Sequence, residues 1–146
     1  MVRAYVESLL ERLIGETQVT PDEDGDYPVR YQGCLYYVRI VGEGSPVVQV
    51  FSVAVRDIKP AAPLLKELNA LNSQIKFARV FWVRDQVLVE PEMLGEGIEP
   101  VDFANACCGV SNITSLHGPP LPEKFGATPA FADAPTEPNK AGLPVS

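Results

Sequence analysis

The chain has one imidazole, His117, and any Ser-His-Asp or Cys-His chemistry would have to run through it. Cys107 and Cys108 are the thiols that such chemistry could use. His117, however, falls where a helical pattern ends, a position the helix dipole favours for a cation. Both thiols lie inside that pattern, whose apolar side needs small hydrophobic residues. Helix-end charge and core packing therefore account for all three. One histidine and no C-x-x-C pair leave zinc without a ligand set. Asp22, Asp24 and Asp26 imitate the alternating oxygens of a calcium loop, but Tyr27 stands where that loop needs its turn glycine and Gly33 where it needs its bidentate glutamate. A solvated acidic turn is expected instead. Glu90, Glu92, Glu96, Glu99 and Asp102 would supply acid–base chemistry if some were buried side by side. Pro91, Gly95 and Gly97 among them predict a solvent-facing loop. Gly42-Glu43-Gly44 lacks the third glycine and the following helix of a phosphate cradle, and Asn112-Ile113-Thr114 is a glycosylation acceptor without a secretory signal. No catalytic residue, metal or cofactor is predicted.

Composition narrows the classes further. With 146 residues, 46% of them hydrophobic and 21% charged, the chain has the length and apolar content of one folded domain. The 12 basic residues against 19 acidic ones give a net charge of −7, which opposes nucleic-acid binding. No apolar run approaches the ~20 residues needed to cross a bilayer, and acids interrupt the first residues where a signal peptide would be uncharged. No membrane insertion and a cytoplasmic location are expected. Three cysteines, two of them adjacent, suit reduced thiols better than a disulfide framework. Composition shifts after Gly118: residues 119–146 hold 7 of the 14 prolines. The expected organisation is one domain over residues 1–118 and a disordered, proline-rich tail over residues 119–146.

Val2, Tyr5, Val6, Leu9, Leu10, Leu13 and Ile14 recur at three- and four-residue steps and predict an amphipathic helix that Gly15 ends. Residues 27–32, 34–41 and 47–55 are rich in β-branched and aromatic side chains, and short turns at Gly33 and at residues 42–46 separate them. That pattern predicts an antiparallel meander. Pro60 and Pro63 fit the first turn of a second helix, with Leu64, Leu65, Leu68 and Leu71 as its stripe. Residues 76–84 and 86–90 read as a second hairpin turning at Arg84-Asp85. Pro100 opens a third helix running to about Leu116, with Val101, Ala104, Cys107, Cys108 and Val110 available for burial and Gly118-Pro119 as its stop. The order α-β-β-β-α-β-β-α groups strands into hairpins, so the expected class is α+β, a five-stranded antiparallel sheet packed by helices.

Alternation along the strands divides the sheet into two faces. Cys34, Tyr36, Val38, Ile40, Val48, Val50, Ala54, Ala78, Val80, Trp82 and Leu88 form a set without charge, assigned to the helix-packed core. The opposite set mixes Tyr37, Phe51, Val53, Phe81, Val83 and Val89 with Arg39, Gln49 and Arg79. Aromatic, aliphatic and arginine side chains together have the composition of a protein interface. Tyr37, Arg39, Phe51, Val53, Arg79 and Phe81 are therefore the candidate partner-binding residues.

Leu68-Asn69-Ala70-Leu71-Asn72, then residues 76–83 and the short strand 87–90, resemble the pattern of a helix ending in N-x-L-N followed by a hairpin. This pattern, with the order of elements, is similar to the small α+β fold of type III secretion chaperones and the related YbjN-like proteins of bacteria. The resemblance covers about residues 2–117. It implies a non-enzymatic protein- or peptide-binding module, chaperone-like or a regulatory adaptor, that holds a segment of a client protein and works commonly as a homodimer. It supplies no catalytic residue. The competing expectation is a small-ligand sensor or regulatory subunit with a pocket between sheet and helices, and an enzyme run on carboxylates ranks third.

Overall fold

The computed structural model describes residues 2–129 apart from residues 17 and 32. Helix α1 (Val2–Ile14) buries Val6, Leu9, Leu10 and Ile14, and Gly15 ends it at φ 77°, a conformation in which a side chain would be strained. The meander follows as β1 (Tyr27–Tyr31), β2 (Cys34–Val41) and β3 (Val47–Arg56). Helix α2 (Ala62–Asn72) starts with proline in its first turn and buries Leu64 and Leu68. The second hairpin is β4 (Arg79–Val83) and β5 (Gln86–Glu90), and a short strand β6 (Glu92–Leu94) leads to helix α3 (Pro100–His117). A short helix α4 (Pro120–Phe125) and strand β7 (Thr128–Pro129) close the described chain.

The strands run antiparallel in the order β1-β2-β3-β5-β4, with β6 and β7 also paired to β3. The expected α+β class and the antiparallel sheet packed by helices are what the chain adopts, with β6, α4 and β7 added to the expected order. Helices α1 and α3 pack on one sheet face. Val6 and Leu10 from α1 and Phe103, Cys107 and Val110 from α3 share a core with Tyr36, Val38, Val48, Val50, Val80 and Val89. In α3 the buried side is Phe103, Cys107, Val110, Ser111 and Thr114, whereas Val101 and Cys108, expected inside, are exposed.

Three sequence expectations need correction. Strand β4 begins at Arg79, not at Lys76, because Phe77 takes φ 60° and turns the chain out of the extended line; Ala78 is thus outside the strand. In β5 the two faces are exchanged: Val89 is buried in the core and Leu88 lies on the other side. The cause is the two-residue turn Arg84-Asp85, both at positive φ, which sets Val80 opposite Val89 and Phe81 opposite Leu88. Such a turn always pairs an even-numbered residue with an odd-numbered one, so parity flips through it. A bulge between Val53 and Val55 adds a further slip, and Ala54 and Val55 are both buried. Third, the folded body does not stop at Gly118. Leu121 is buried, Phe125 and Ala127 pack against the core, and β7 pairs with β3. The remainder of the expected tail, residues 130–146, lies outside the described residues.

Candidate functional site: the helix-free sheet face

Cross-strand pairing places the mixed residues in rows on the face opposite α1 and α3. Tyr37 stands opposite Phe51, Arg39 opposite Gln49, Gln49 opposite Glu92, Val53 opposite Leu88, Leu88 opposite Phe81, and Glu90 opposite Arg79. Among the described residues, Tyr37, Phe51, Val53, Phe81 and Leu88 belong neither to the helix-packed core nor to the half-buried residues against it. They are half-buried by one another and by their neighbours along the sheet. All six expected partner-binding residues, Tyr37, Arg39, Phe51, Val53, Arg79 and Phe81, thus share one face.

The arginines of this face are held from two sides. Arg39 donates to both carboxylate oxygens of Asp26, Nε to Oδ1 at 2.8 Å and Nη2 to Oδ2 at 2.6 Å, and its guanidinium lies 4.9 Å from the centre of the Phe51 ring. Phe51 in turn stacks on Tyr37 with ring centres 5.3 Å apart and planes at 20°. Across β3 the arrangement repeats. Arg79 donates to Glu90 at 2.9 Å and to Glu92 at 3.2 Å, and sits 4.6 Å from the Phe81 ring centre. Gln49 joins the second cluster through a 3.1 Å bond to Glu92. In both clusters the acid beneath is buried, Asp26 at 4% exposure and Glu90 at 7%, while the arginine above faces solvent. The result is a rigid surface of stacked aromatic rings and guanidinium planes, with the rotamers fixed before any partner arrives.

The electrostatics follow from these contacts. Hydrogen bonding to Asp26 raises Arg39, and hydrogen bonding to Glu90 raises Arg79, so both cations are secured. Burial, then the hydrogen bond it shares with Glu92, lifts Glu90 above the ordinary carboxylate range, while the same bond lowers Glu92. Tyr37 is raised by burial and by the nearby Asp22.

Sequence reasoning missed Asp26 and Glu90 as anchors. Glu90 ends β5, as the expected strand 86–90 has it, but it is buried and faces Arg79 across the hairpin instead of facing solvent with the acids that follow it. The two-residue turn was the available signal, because once it is fixed the register follows. The other chemical candidates stay apart from this face or are already engaged. Burial pushes the Cys107 thiol up to about 12, which keeps it protonated, and Cys34 is raised for the same reason. His117 ends α3 as expected. Asp22, Asp24 and Asp26 do bring carboxylate oxygens within 4.8 Å of one another. Asp22 Oδ1, however, accepts the backbone N–H groups of Asp24 and Asp26, and both oxygens of Asp26 are taken by Arg39. The trio is a turn that seats an arginine.

The family model described as "T3SS (YopN, CesT) and YbjN peptide-binding chaperone 1", TY-Chap1, matches residues 1–133. The chain belongs to the TY-Chap1 family. Its membership makes it a peptide-binding, chaperone-type module, in agreement with the resemblance read from residues 68–90. No curated protein matches it in sequence. Among solved structures, a chain of the ExsC–ExsE complex matches with a TM-score of 0.60 at 12% identity, over 77% of this chain and 90% of that one. A chain of the Yersinia pestis type III secretion chaperone SycH in complex with a stable fragment of YscM2 matches with a TM-score of 0.56 at 14% identity, over 75% of this chain and 97% of that one. At such identities the likeness is one of fold, and it places the TY-Chap1 chain beside type III secretion chaperones. No helix among the described residues is long and apolar enough to cross a membrane.

Proposed function

We propose that this TY-Chap1 chain holds a segment of a client protein against its helix-free sheet face, by physical capture and without bond chemistry, and that it does so as a cytoplasmic homodimer. The observation that carries this reading is the pair of Arg–aromatic clusters. Two guanidinium planes, each stacked on a phenylalanine and seated on a buried carboxylate, flank the aliphatic row Val53–Leu88. Aromatic and arginine anchors supply most of the energy in protein interfaces, and these are already ordered. The crystal structures of ExsC with ExsE and of SycH with a YscM2 fragment are complexes, which supports a partner for this fold. A non-enzymatic role agrees with the protonated, buried Cys107 and with carboxylates that are committed to arginines. For the homodimer, the support is apolar area outside the face: Leu65 on α2 and Val101 and Leu116 on α3 are exposed. A closed two-fold pair is the commonest way to cover such residues.

The test uses three variants. Phe51→Glu and Phe81→Glu should remain folded by circular dichroism and lose the client polypeptide seen by mass spectrometry of gently purified protein, since each anchor contributes ~2 kcal/mol or more in a desolvated interface. Val80→Glu, on the core side of the same hairpin, should unfold. If the phenylalanine variants unfold and Val80→Glu stays folded, the proposed partner face is the core. Light scattering that gives 15.9 kDa across a hundredfold dilution would refute the dimer.

A further inference from the structure

Strand β7 points along the sheet toward the helix-free face. Val55 and Arg56 pair with Val87 and Gln86 of β5 on one edge and with Pro129 and Thr128 of β7 on the other, so β7 occupies the line of β2 and runs from Arg56 toward Val53 and Phe51. That line is closed ahead of it. The β2–β3 register, carried back from Tyr37 opposite Phe51, brings Cys34 to the level of Ala54, one position beyond Pro129. The helix side is filled as well. A Cβ on Gly118, at the end of α3, would stand 3.2 Å from the Ala54 carbonyl oxygen and 3.5 Å from the Ala54 Cβ, and the buried Cys34 thiol turns to Ser111 and Thr114 of α3. The side left open at this point is the helix-free one, where Leu35 and Val53 are half-buried and outside the core.

The sequence that follows Pro129 suits that surface. Phe131 comes two residues later, about 7 Å of extended chain, at the border of the Val53–Leu88 row. Pro135, Pro138 and Pro144 have no N–H to give, so the segment cannot lengthen β7 as a regular ladder, and its contacts would be made by side chains. Proline rings and a phenylalanine are what a surface of aromatic rings and guanidinium planes packs against. The segment carries Asp133 and Glu137 against one base, Lys140. On the face, the Arg39 and Arg79 side chains are 45% and 58% exposed, and Arg39 gives only Nε and Nη2 to Asp26, which leaves guanidinium donors for a further acid. Length is sufficient: the 17 residues from 130 to 146 extend to about 55 Å, whereas the three strand spacings from β2 to β4 cover about 14 Å. We propose that residues 130–146 lie across the helix-free face in the place of a client, which then binds by displacing the chain's own end, a role that rests on the reading of this face as the partner surface.

A labelled synthetic peptide of residues 130–146 is the probe, titrated against the full-length chain, its Phe131→Glu variant and the double variant Phe131→Glu/Phe81→Glu. Phe131→Ala repeats the comparison without an added charge. Tethering holds a segment at an effective concentration of ~1 mM, so one with a Kd of about 100 μM as a free peptide occupies its site about tenfold over when attached. The peptide should therefore bind Phe131→Glu and Phe131→Ala about tenfold or more tighter than the parent chain, whose own segment competes. Binding should fall about tenfold or more in the double variant. The amide NMR shifts of Phe51, Val53 and Phe81 should move between the parent and the Phe131 variants, with circular dichroism unchanged. Equal binding to the parent and the Phe131 variants that Phe81→Glu still weakens would overturn self-occupancy and leave the partner face standing. Binding indifferent to Phe81→Glu would put the segment on another surface and overturn the proposal. If the peptide does not bind at all, the proposal also ends, and the partner face is then decided by the client lost or kept in Phe51→Glu and Phe81→Glu.

Discussion

Arg39 and Asp26 are a pair with unequal surroundings, and that inequality decides what each side chain contributes. Asp26 is buried and Arg39 is half exposed, so removing either leaves a different orphan. Without Asp26 the guanidinium can return to water. Without Arg39 a buried carboxylate is stranded, and the cation–π contact with Phe51 is lost as well. Arg39→Ala should therefore cost about 2 kcal/mol or more in urea unfolding, and Asp26→Asn about 1 kcal/mol. Equal costs would mean that Asp26 is better hydrated than its burial implies. Glu90 carries a pH signature. Its pKa is raised in the folded chain by burial and by Glu92, so its stabilising effect is complete below the ordinary glutamate range and is lost as pH rises through the raised value. Glu92 is lowered, and its contribution is present above that range and lost as pH falls. Glu90→Gln removes the first dependence, and its amide can still donate to Glu92, whose lowered value depends chiefly on the bond to position 90. Its melting temperature relative to the parent chain should climb as pH rises above the ordinary glutamate range, and a flat or falling difference would contradict the raised pKa.

Elements were legible where one periodicity dominated and misread where a single residue redirected the backbone. The stripe of α1, the meander and the prolines that open α2 and α3 follow from local pattern, and the structure keeps them. The face of β5 was misassigned because parity depends on the length of a turn, which alternation alone does not encode. Residues 76–78 read as strand because lysine, phenylalanine and alanine fit an extended pattern, yet the left-handed turn at Phe77 needs no glycine to occur here. Asn72 is part of the reason that β4 starts where it does. Its carboxamide occupies both outward groups of Val80 and ties the end of α2 to the edge strand. Asn72→Ala should lose two hydrogen bonds and about 1–2 kcal/mol, and it opens an edge that a second chain can use. The expected readout is a lower urea midpoint with faster aggregation on mild heating. A stable, equally soluble variant would show that the edge is protected by something other than Asn72.

At the scale of the whole molecule, the composition break at Gly118 predicted the end of the domain, and the packed structure runs past it. Proline content misled because prolines at 119, 120 and 122 suit a helix start as well as a disordered tail, and only tertiary contact distinguishes the two. Gly118 marks a close approach rather than an exit. A Cβ there would stand 2.7 Å from the Thr114 carbonyl oxygen and 3.2 Å from that of Ala54, so the absent side chain lets the end of α3 meet β3. From that contact α4 places Leu121 in the core with 2% exposure, and Phe125 and Ala127 cover its border before β7 joins β3 at Val55 and Arg56. Truncation after Gly118 would remove all of these at once. Burying one leucine contributes about 1.5–3 kcal/mol, and the pairing of β7 adds to it, so the truncated chain should melt at least about 5 °C below the full one. Leu121→Ala separates packing from chain length: it leaves every backbone contact in place and should still cost about 2–5 kcal/mol. If the truncated chain melts with the parent while Leu121→Ala is destabilised, the mutated side chain harms an otherwise dispensable segment. If both match the parent, the core closes without α4, and residues 2–118 are the folding unit after all.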